Sequence, residues 1–259
     1  MEMASGTSWT RQQSLVALNL YCQLPFGKLR HRNPEIIRCA QLIGRTPSAL
    51  AMKLTNFASL DPAITSTGRS GLPNVSSADK AIWSEMQADW DRFGIEAREA
   101  ATSLGVADSD ATSEPQATDE LPDYTGANRQ AEVAVRIGQY SFRRTVLSAY
   151  DYRCCISGLA VPSLLVASHI KPWRVDERNR LNPRNGLCLS ALHDRAFDAG
   201  IITITDEMTV SVSQAHATEA DGFFQSALSS YHGRPITLPE KFPPAEEFLS
   251  YHRQHVFQG

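Results

Sequence analysis

Residues 100–124 read AATSLGVADSDATSEPQATDELPDY, a run of Ala, Ser, Thr, Asp and Glu with almost no apolar periodicity. Such a stretch cannot bury enough apolar surface to offset the entropy of ordering it, so it reads as a solvated connector with a helical start at most. It constrains the fold more than any other feature, because it leaves two separate blocks, each long enough for a small core. The expected organisation is a mostly helical domain over residues 1–97, an acidic linker over 98–125 and a second domain over 126–259, α+β overall.

Charge is segregated in the same way. The net formal charge of −3 argues by itself against a nucleic-acid partner, but residues 11–70 carry eight Lys/Arg against two Asp/Glu. Residues 96–125 carry one against eight, and residues 126–195 eleven against five. Two basic blocks thus flank an acidic one, and basic faces attract phosphate backbones or simply solvate a surface. No apolar run approaches the roughly 18 residues that a membrane span needs, and the first residues lack a signal-peptide pattern. The expectation is a cytoplasmic protein. Its five cysteines, odd in number and irregularly spaced, fit reduced thiols better than a disulfide framework.

In the first block, Leu15, Leu18, Tyr21 and Cys22 recur at helical spacing until Pro25 and Gly27. Asn33 before Pro34 starts a second helix, with Ile36, Ile37, Ala40 and Ile43 inward and Gly44 at its end. Thr46-Pro47 starts a third, with Leu50, Leu54 and Phe57 inward. Residues 64–72, with Gly68 and Gly71 around Arg69, suit a short hairpin or wing, and residues 79–93 form one further amphipathic helix. Two helices joined by a tight turn and followed by a wing resemble a winged-helix domain. The resemblance implies that Ser48, Lys53, Thr55 and Asn56 face bases in the major groove. Arg45 and Arg69 would reach phosphates.

In the second block, residues 129–150 read as a helix carrying Arg136, Arg143 and Arg144. Residues 154–158 form a turn, residues 164–167 a short strand ending at Ser168-His169, and residues 187–189 a second strand after Asn185. A helix from about Ser190 carries His193, Asp194 and Phe197, and residues 201–204 and 210–212 form a further hairpin. Strand, loop, strand and helix with His169, Asn185 and His193 in order resemble the HNH (ββα-metal) endonucleases. The restriction-type branch is the nearest likeness, through ASHIKPW and NPRNGLCLSALHDRAFD. The likeness covers residues 140–204 well and the remainder more loosely.

That resemblance implies a one-metal hydrolysis of DNA phosphodiesters that leaves 5′-phosphate and 3′-hydroxyl ends. His titrates near neutral pH, so neutral His169 can take a proton from water. By the same resemblance, Asn185 supports His169 through a hydrogen bond, and His193 ligates a divalent ion, Mg²⁺ or Mn²⁺, that stabilises the leaving oxygen. Two departures stand out. The position before the base, often Asp or His in the family, is Ser168, a weak ligand for a hard cation. Either its hydroxyl or a water binds the ion, or a carboxylate substitutes, with Asp194 nearest in sequence and Asp151 and Asp198 as alternatives. Many relatives also carry two CxxC pairs that hold structural zinc. Here the corresponding stretches read Cys154-Cys155-Ile156-Ser157 and Cys188-Leu189-Ser190-Ala191, so no structural zinc is expected. Trp173 either stacks on a base or covers the core. Arg143, Arg144, Lys171, Arg174 and Arg184 are candidate phosphate contacts around the site.

The architecture as a whole resembles modification-dependent restriction enzymes. By analogy it implies a reader of methylated double-stranded DNA, with N6-methyladenine favoured over 5-methylcytosine. An HNH enzyme reading unmodified sequence and a DNA-binding regulator with a degenerate nuclease domain are the alternatives. One nuclease site per chain implies either a homodimer or two successive nicks for a double-strand break.

Overall fold

A computed structural model describes residues 8–68, 75–106, 129–217 and 222–259, without the side chains of 129–137 and 216–217. The helices of the first block are α1 (Arg11–Gln23), α2 (Pro34–Leu42), α3 (Pro47–Ala58), α4 (Pro62–Thr65), α5 (Ser77–Ala88) and α6 (Trp90–Ser103). Each start expected from a cap and a following proline is present. Asn33 Oδ1 accepts the Glu35 N–H ahead of α2, and Thr46 Oγ1 accepts the Ala49 N–H ahead of α3. Gly44, at φ +69°, closes α2 in the left-handed region. Leu18, Tyr21, Ile36, Leu50, Leu54, Phe57 and Met86 fill the first core.

Two expectations need correction. The wing is not seen in its described part, because Asp61 caps a helical turn there, its Oδ1 accepting the Ala63 N–H with Pro62 at the first position. Ile64 and Thr65 therefore lie in α4, and among the described residues of this block there is no strand. Residues 69–74 lie outside the described residues. The single helix expected over 79–93 is two. Asp89 adopts an extended conformation, ends α5 and caps α6 through the Arg92 N–H. α6 then runs to Ser103 with Ala97 and Ala100 buried, so ordered helix enters the segment read as linker. Residues 107–128 are outside the described residues.

The second block begins with α7 (Arg129–Ala149). β1 (Leu165–His169) and β2 (Gly186–Ser190) pair antiparallel, with Ser168 opposite Leu187 and His169 opposite Gly186. α8 (Ala191–Asp198) follows β2 directly, and β3 (Ile202–Ile204) pairs antiparallel with β4 (Val210–Val212). Short α9 (Gln214–Ala217) and α10 (Gly222–Ala227) and then α11 (Glu246–His255) complete it. The second core gathers Phe142, Val146, Leu165, Leu187, Leu189, Phe197, Ile204 and Leu249. Among the described residues no helix is long and apolar enough to cross a membrane. Gly186 lets α7 lie on the hairpin: a β-carbon there would sit 2.6 Å from Val146 Cγ2 and 2.9 Å from Phe142 Cζ.

The two blocks are packed against each other. α1 runs against α7, and the Ser148 hydroxyl donates to the Cys22 carbonyl at 3.0 Å. Arg144 pairs with Glu35 at 2.6 Å. Phe242, from the second block, sits in the first core against Tyr21 and Trp90. The deepest link is Lys241, fully buried, whose ammonium donates to the Tyr21, Cys22 and Leu24 carbonyls at the end of α1. The last carbonyls of a helix have no intrahelical donor, so this side chain supplies one from the other block. Replacing it with methionine removes this donor from all three carbonyls, of which Cys22 keeps the Ser148 hydroxyl. Lys241→Met should therefore lower unfolding stability by roughly 2–4 kcal/mol in urea titration.

Candidate active site

Strand alternation sends neighbouring side chains of β1 to opposite faces. His169 goes towards α7, where its ring stacks on Phe142 with centroids 3.9 Å apart, and Trp173 meets it edge-on at 5.4 Å. Its Nε2 lies 3.0 Å from the Arg180 carbonyl oxygen. A carbonyl can only accept, so Nε2 carries the hydrogen and Nδ1 keeps its lone pair. Burial holds the imidazole well below its usual range, at about 4, although the Arg180 carbonyl pulls the other way. The ring is therefore neutral at physiological pH and oriented as a base.

Asn185 is buried just before β2, at the hairpin position that faces the start of the loop. The resemblance implied a hydrogen bond to His169. The structure shows an indirect support instead. Asn185 Oδ1 accepts the Lys171 N–H at 2.8 Å, while its Nδ2 donates to the Lys171 carbonyl at 3.1 Å and to the Asn179 carbonyl at 3.4 Å. It thus ties the chain just beyond His169 to the residue before Arg180. Phe142, Trp173 and Arg180 complete the support. Arg180 lies over the Trp173 ring at 5.1 Å and donates from Nε to the Trp173 carbonyl at 3.2 Å. Sequence reading passed over Phe142 and the Arg180 carbonyl, since a residue on another helix and a backbone atom leave no motif. Trp173 serves as a wall to the imidazole, close to the core-covering reading.

On the opposite face, Ser168 turns towards α8. Its hydroxyl is buried beside the Asp194 carboxyl yet has no hydrogen-bond partner of good geometry. Burial raises Asp194 above the ordinary carboxylate range. Asp198, one helical turn further on, presents surface to solvent, but partial burial of its carboxyl and the nearby Asp194 push it up to about 6. Two carboxylates at i and i+4 that resist ionising together, next to an orphaned hydroxyl, form an oxygen-donor set suited to a hard divalent cation.

His193, the ligand that the resemblance implied, faces protein groups in this structure and not the Ser168 side of α8. It is buried, with Nδ1 2.9 Å from Ser190 Oγ and 3.4 Å from Cys154 Sγ. Its Nε2 lies 3.0 Å from the Ala227 carbonyl and its ring meets Tyr231 edge-on. Both nitrogens are occupied by protein groups, so the histidine fastens α8 to the turn at Cys154 and to α10. Burial alone would raise the Cys154 thiol, but the contacts with His193 and Ser157 bring it down to about 6. Cys155 and Cys188 are buried thiols pushed upward by burial. Among the described residues no three His, Cys, Asp or Glu side chains gather as a metal cluster. A cation beside Asp194 and Asp198 would therefore complete its shell from Ser168, water and substrate oxygens.

The expected DNA contacts divide. Arg45 is buried and donates to the Ser8 carbonyl at 2.7 Å and to Gln13 at 2.8 Å, and Lys53 is buried in an ion pair with Asp79 at 2.8 Å. Both side chains are buried and engaged within the first block in this structure, Lys53 with a buried carboxylate. Thr55 bonds back to the Ala51 carbonyl at 2.9 Å, Asn56 Oδ1 is buried without a partner, and Ser48 is exposed. Arg143 donates to the Leu165 carbonyl at 2.7 Å, holding the start of β1, and Arg144 is taken by Glu35. Lys171 pairs with Asp176 at 3.1 Å, Arg184 donates to the Pro243 carbonyl at 3.4 Å, and Arg174 is exposed on the loop. Arg69 lies outside the described residues.

What sequence reading missed is a groove of about 510 Å³ between residues 29–32 and α3, with Arg30, His31 and Arg32 on one side and Ser48, Met52 and Thr55 on the other. No ion pair engages Lys28, Arg30, His31 or Arg32 among the described residues. Met52 is 57% exposed in the middle of α3.

A search of curated proteins found no match to the chain. Residues 154–205, which run from the Cys154 turn through β1, β2 and α8 to β3, match the family model described as HNH endonuclease, so the second block carries an HNH endonuclease domain.

Proposed function

We propose that the chain is a metal-dependent DNA endonuclease in which His169 is the general base and Asp194 and Asp198, with Ser168, hold the cation. The observation that carries this reading is the His169 ring, neutral, clamped by Phe142 and Trp173, and fixed as the Nε2–H tautomer by the Arg180 carbonyl. In that state Nδ1 can take a proton from a water aimed at phosphorus, and the charge that develops on the ring is met by the carbonyl dipole at Nε2. When bound, Mg²⁺ or Mn²⁺ neutralises the phosphate and stabilises the leaving oxygen. Asn185 keeps the 179–181 segment and the Lys171 turn in register, so its part is to hold the base in place.

The first block then acts as the DNA reader. Its cations at residues 30–32, in no ion pair among the described residues, suit phosphates, and α3 presents Ser48, Met52 and Thr55 beside them. The finer reading, restriction of methylated double-stranded DNA with N6-methyladenine favoured, is supported by the likeness to modification-dependent enzymes and by the exposed Met52. A thioether in a basic groove is an apolar, polarisable surface for a base methyl group. A double-strand break requires a homodimer or two successive nicks.

His169→Ala should abolish cleavage of plasmid DNA while leaving the dissociation constant for DNA within about twofold; retained cutting would reject His169 as the base. Matched plasmids from methylating and non-methylating hosts decide the finer reading, which fails if both are cut equally. Arg30→Ala and Arg32→Ala should each reduce the slope of log K against log salt by about 0.9. The acid dependence should come from the carboxylates and not from His169. Asp198 takes up a proton below about 6 and then loses its attraction for a dication. Calorimetric Mn²⁺ affinity should thus rise by up to about tenfold per pH unit below that value and level off above it. Asp198→Asn should weaken that dependence, leaving the part that Asp194 contributes.

A further inference from the structure

The peptide bond between Arg180 and Leu181 is shared by the two blocks. Its carbonyl oxygen accepts from His169 Nε2 at 3.0 Å, and its N–H donates to Asp91 Oδ1 at 3.0 Å. Asp91 belongs to the first turn of α6, in the other block. Among the described residues no peptide is cis, so these two groups point opposite ways from one rigid plane. Whatever fixes the N–H end also fixes the carbonyl that sets the His169 tautomer.

The surroundings leave this peptide little freedom. The Leu181 side chain is wedged between Gly94 of α6 and Gly138 of α7. A β-carbon would stand 2.7 Å from its Cδ1 at the first position and 3.1 Å from its Cδ2 at the second. Leu181 packs against both cores. From the other side, Asn185 holds the Asn179 carbonyl. The segment of residues 179–181 is therefore held both from within the nuclease block and by the first block. A carboxylate on the N–H end also polarises the amide, making its oxygen a stronger acceptor for a ring that gains positive charge during proton transfer.

We propose that Asp91 is a positioning residue for the catalytic base, acting on His169 through the Arg180–Leu181 peptide. The nuclease block is then complete only when α6 is docked on it, so the first block contributes to the chemistry as well as to DNA contact. This rests on the reading of His169 as the base of a nuclease, and the test separates the two. In the full chain, Asp91→Ala should lower kcat on plasmid DNA by about tenfold to a hundredfold with KM for DNA unchanged. Asp91→Asn keeps an acceptor oxygen for the Leu181 N–H and should recover most of that loss. The ¹⁵N spectrum of the His169 ring should show the single Nε2–H tautomer in the unsubstituted protein and in Asp91→Asn, and a mixture in Asp91→Ala.

Should Asp91→Ala fail to fold, Gly94→Ala perturbs the same contact by pressing a methyl against Leu181 from a helix that tolerates alanine. It should lower kcat several-fold and broaden the same ring signals. An unchanged kcat and an unchanged tautomer in the folded variants would overturn the proposal. So would equal losses in Asp91→Ala and Asp91→Asn that follow thermal stability. If the unsubstituted protein cuts no DNA with Mg²⁺ or Mn²⁺, the nuclease reading fails, and the ring spectra still decide whether Asp91 controls His169.

Discussion

The Arg180 carbonyl can accept a hydrogen bond but never donate one, and the His169 nitrogen 3.0 Å away must therefore carry the proton. Much of the architecture serves that contact. β1 ends at His169, and α7 brings Phe142 over its ring because Gly186 permits a close approach. The loop returns Trp173 to the ring's edge under the Arg180 side chain, and Asn185 and Asp91 tie down the segment on either side. A histidine at a strand end is commonplace. One held in a single tautomer, with its pKa lowered by burial and, among the described residues, no protein partner on its second nitrogen, is equipped to remove a proton.

α8 sends two neighbouring residues of the motif to different surroundings. His193 and Asp194 are adjacent, and on a helix adjacent residues point about a hundred degrees apart. His193 turns inward to Ser190, Cys154 and the Ala227 carbonyl, whereas Asp194 turns towards Ser168 and, one turn on, Asp198. The histidine thus secures the helix, and the carboxylates offer the oxygens that a hard cation prefers. In the proposed cation site the weak donor at Ser168 would be offset by the two carboxylates nearby. Gly200, at φ +70° just past the helix, lets the chain turn away at once and keeps the Asp198 end of α8 short.

The first block shows the limits of counting charges. Arg45 and Lys53 look like DNA contacts on a basic helix pair, but their side chains run inward to Gln13, the Ser8 carbonyl and Asp79. The cations left for a partner lie on the loop at residues 28–32, which carries no helical pattern to draw attention to it. The two blocks are likewise joined through Lys241, a lysine that the fold buries entirely on the end of α1.

The sequence by itself determined the elements whose signals are local. The caps at Asn33 and Thr46 and the start of α8 at Ser190 follow from hydrogen bonds within a few residues of one another, and the two strands that carry His169 and follow Asn185 are short apolar runs bounded by turn residues. It also carried the order of residues by which the HNH endonuclease domain is recognised. Only the tertiary structure decided which of those residues are free to act. The contacts of His193 with Cys154 and the Ala227 carbonyl, the burial of Arg45, Lys53 and Lys241, and the meeting of Asp91 with the Leu181 N–H depend on partners far away in the chain. A side chain's chemistry is written in its type. Its availability depends on what the fold places within 3 Å of it, and no local pattern encodes that.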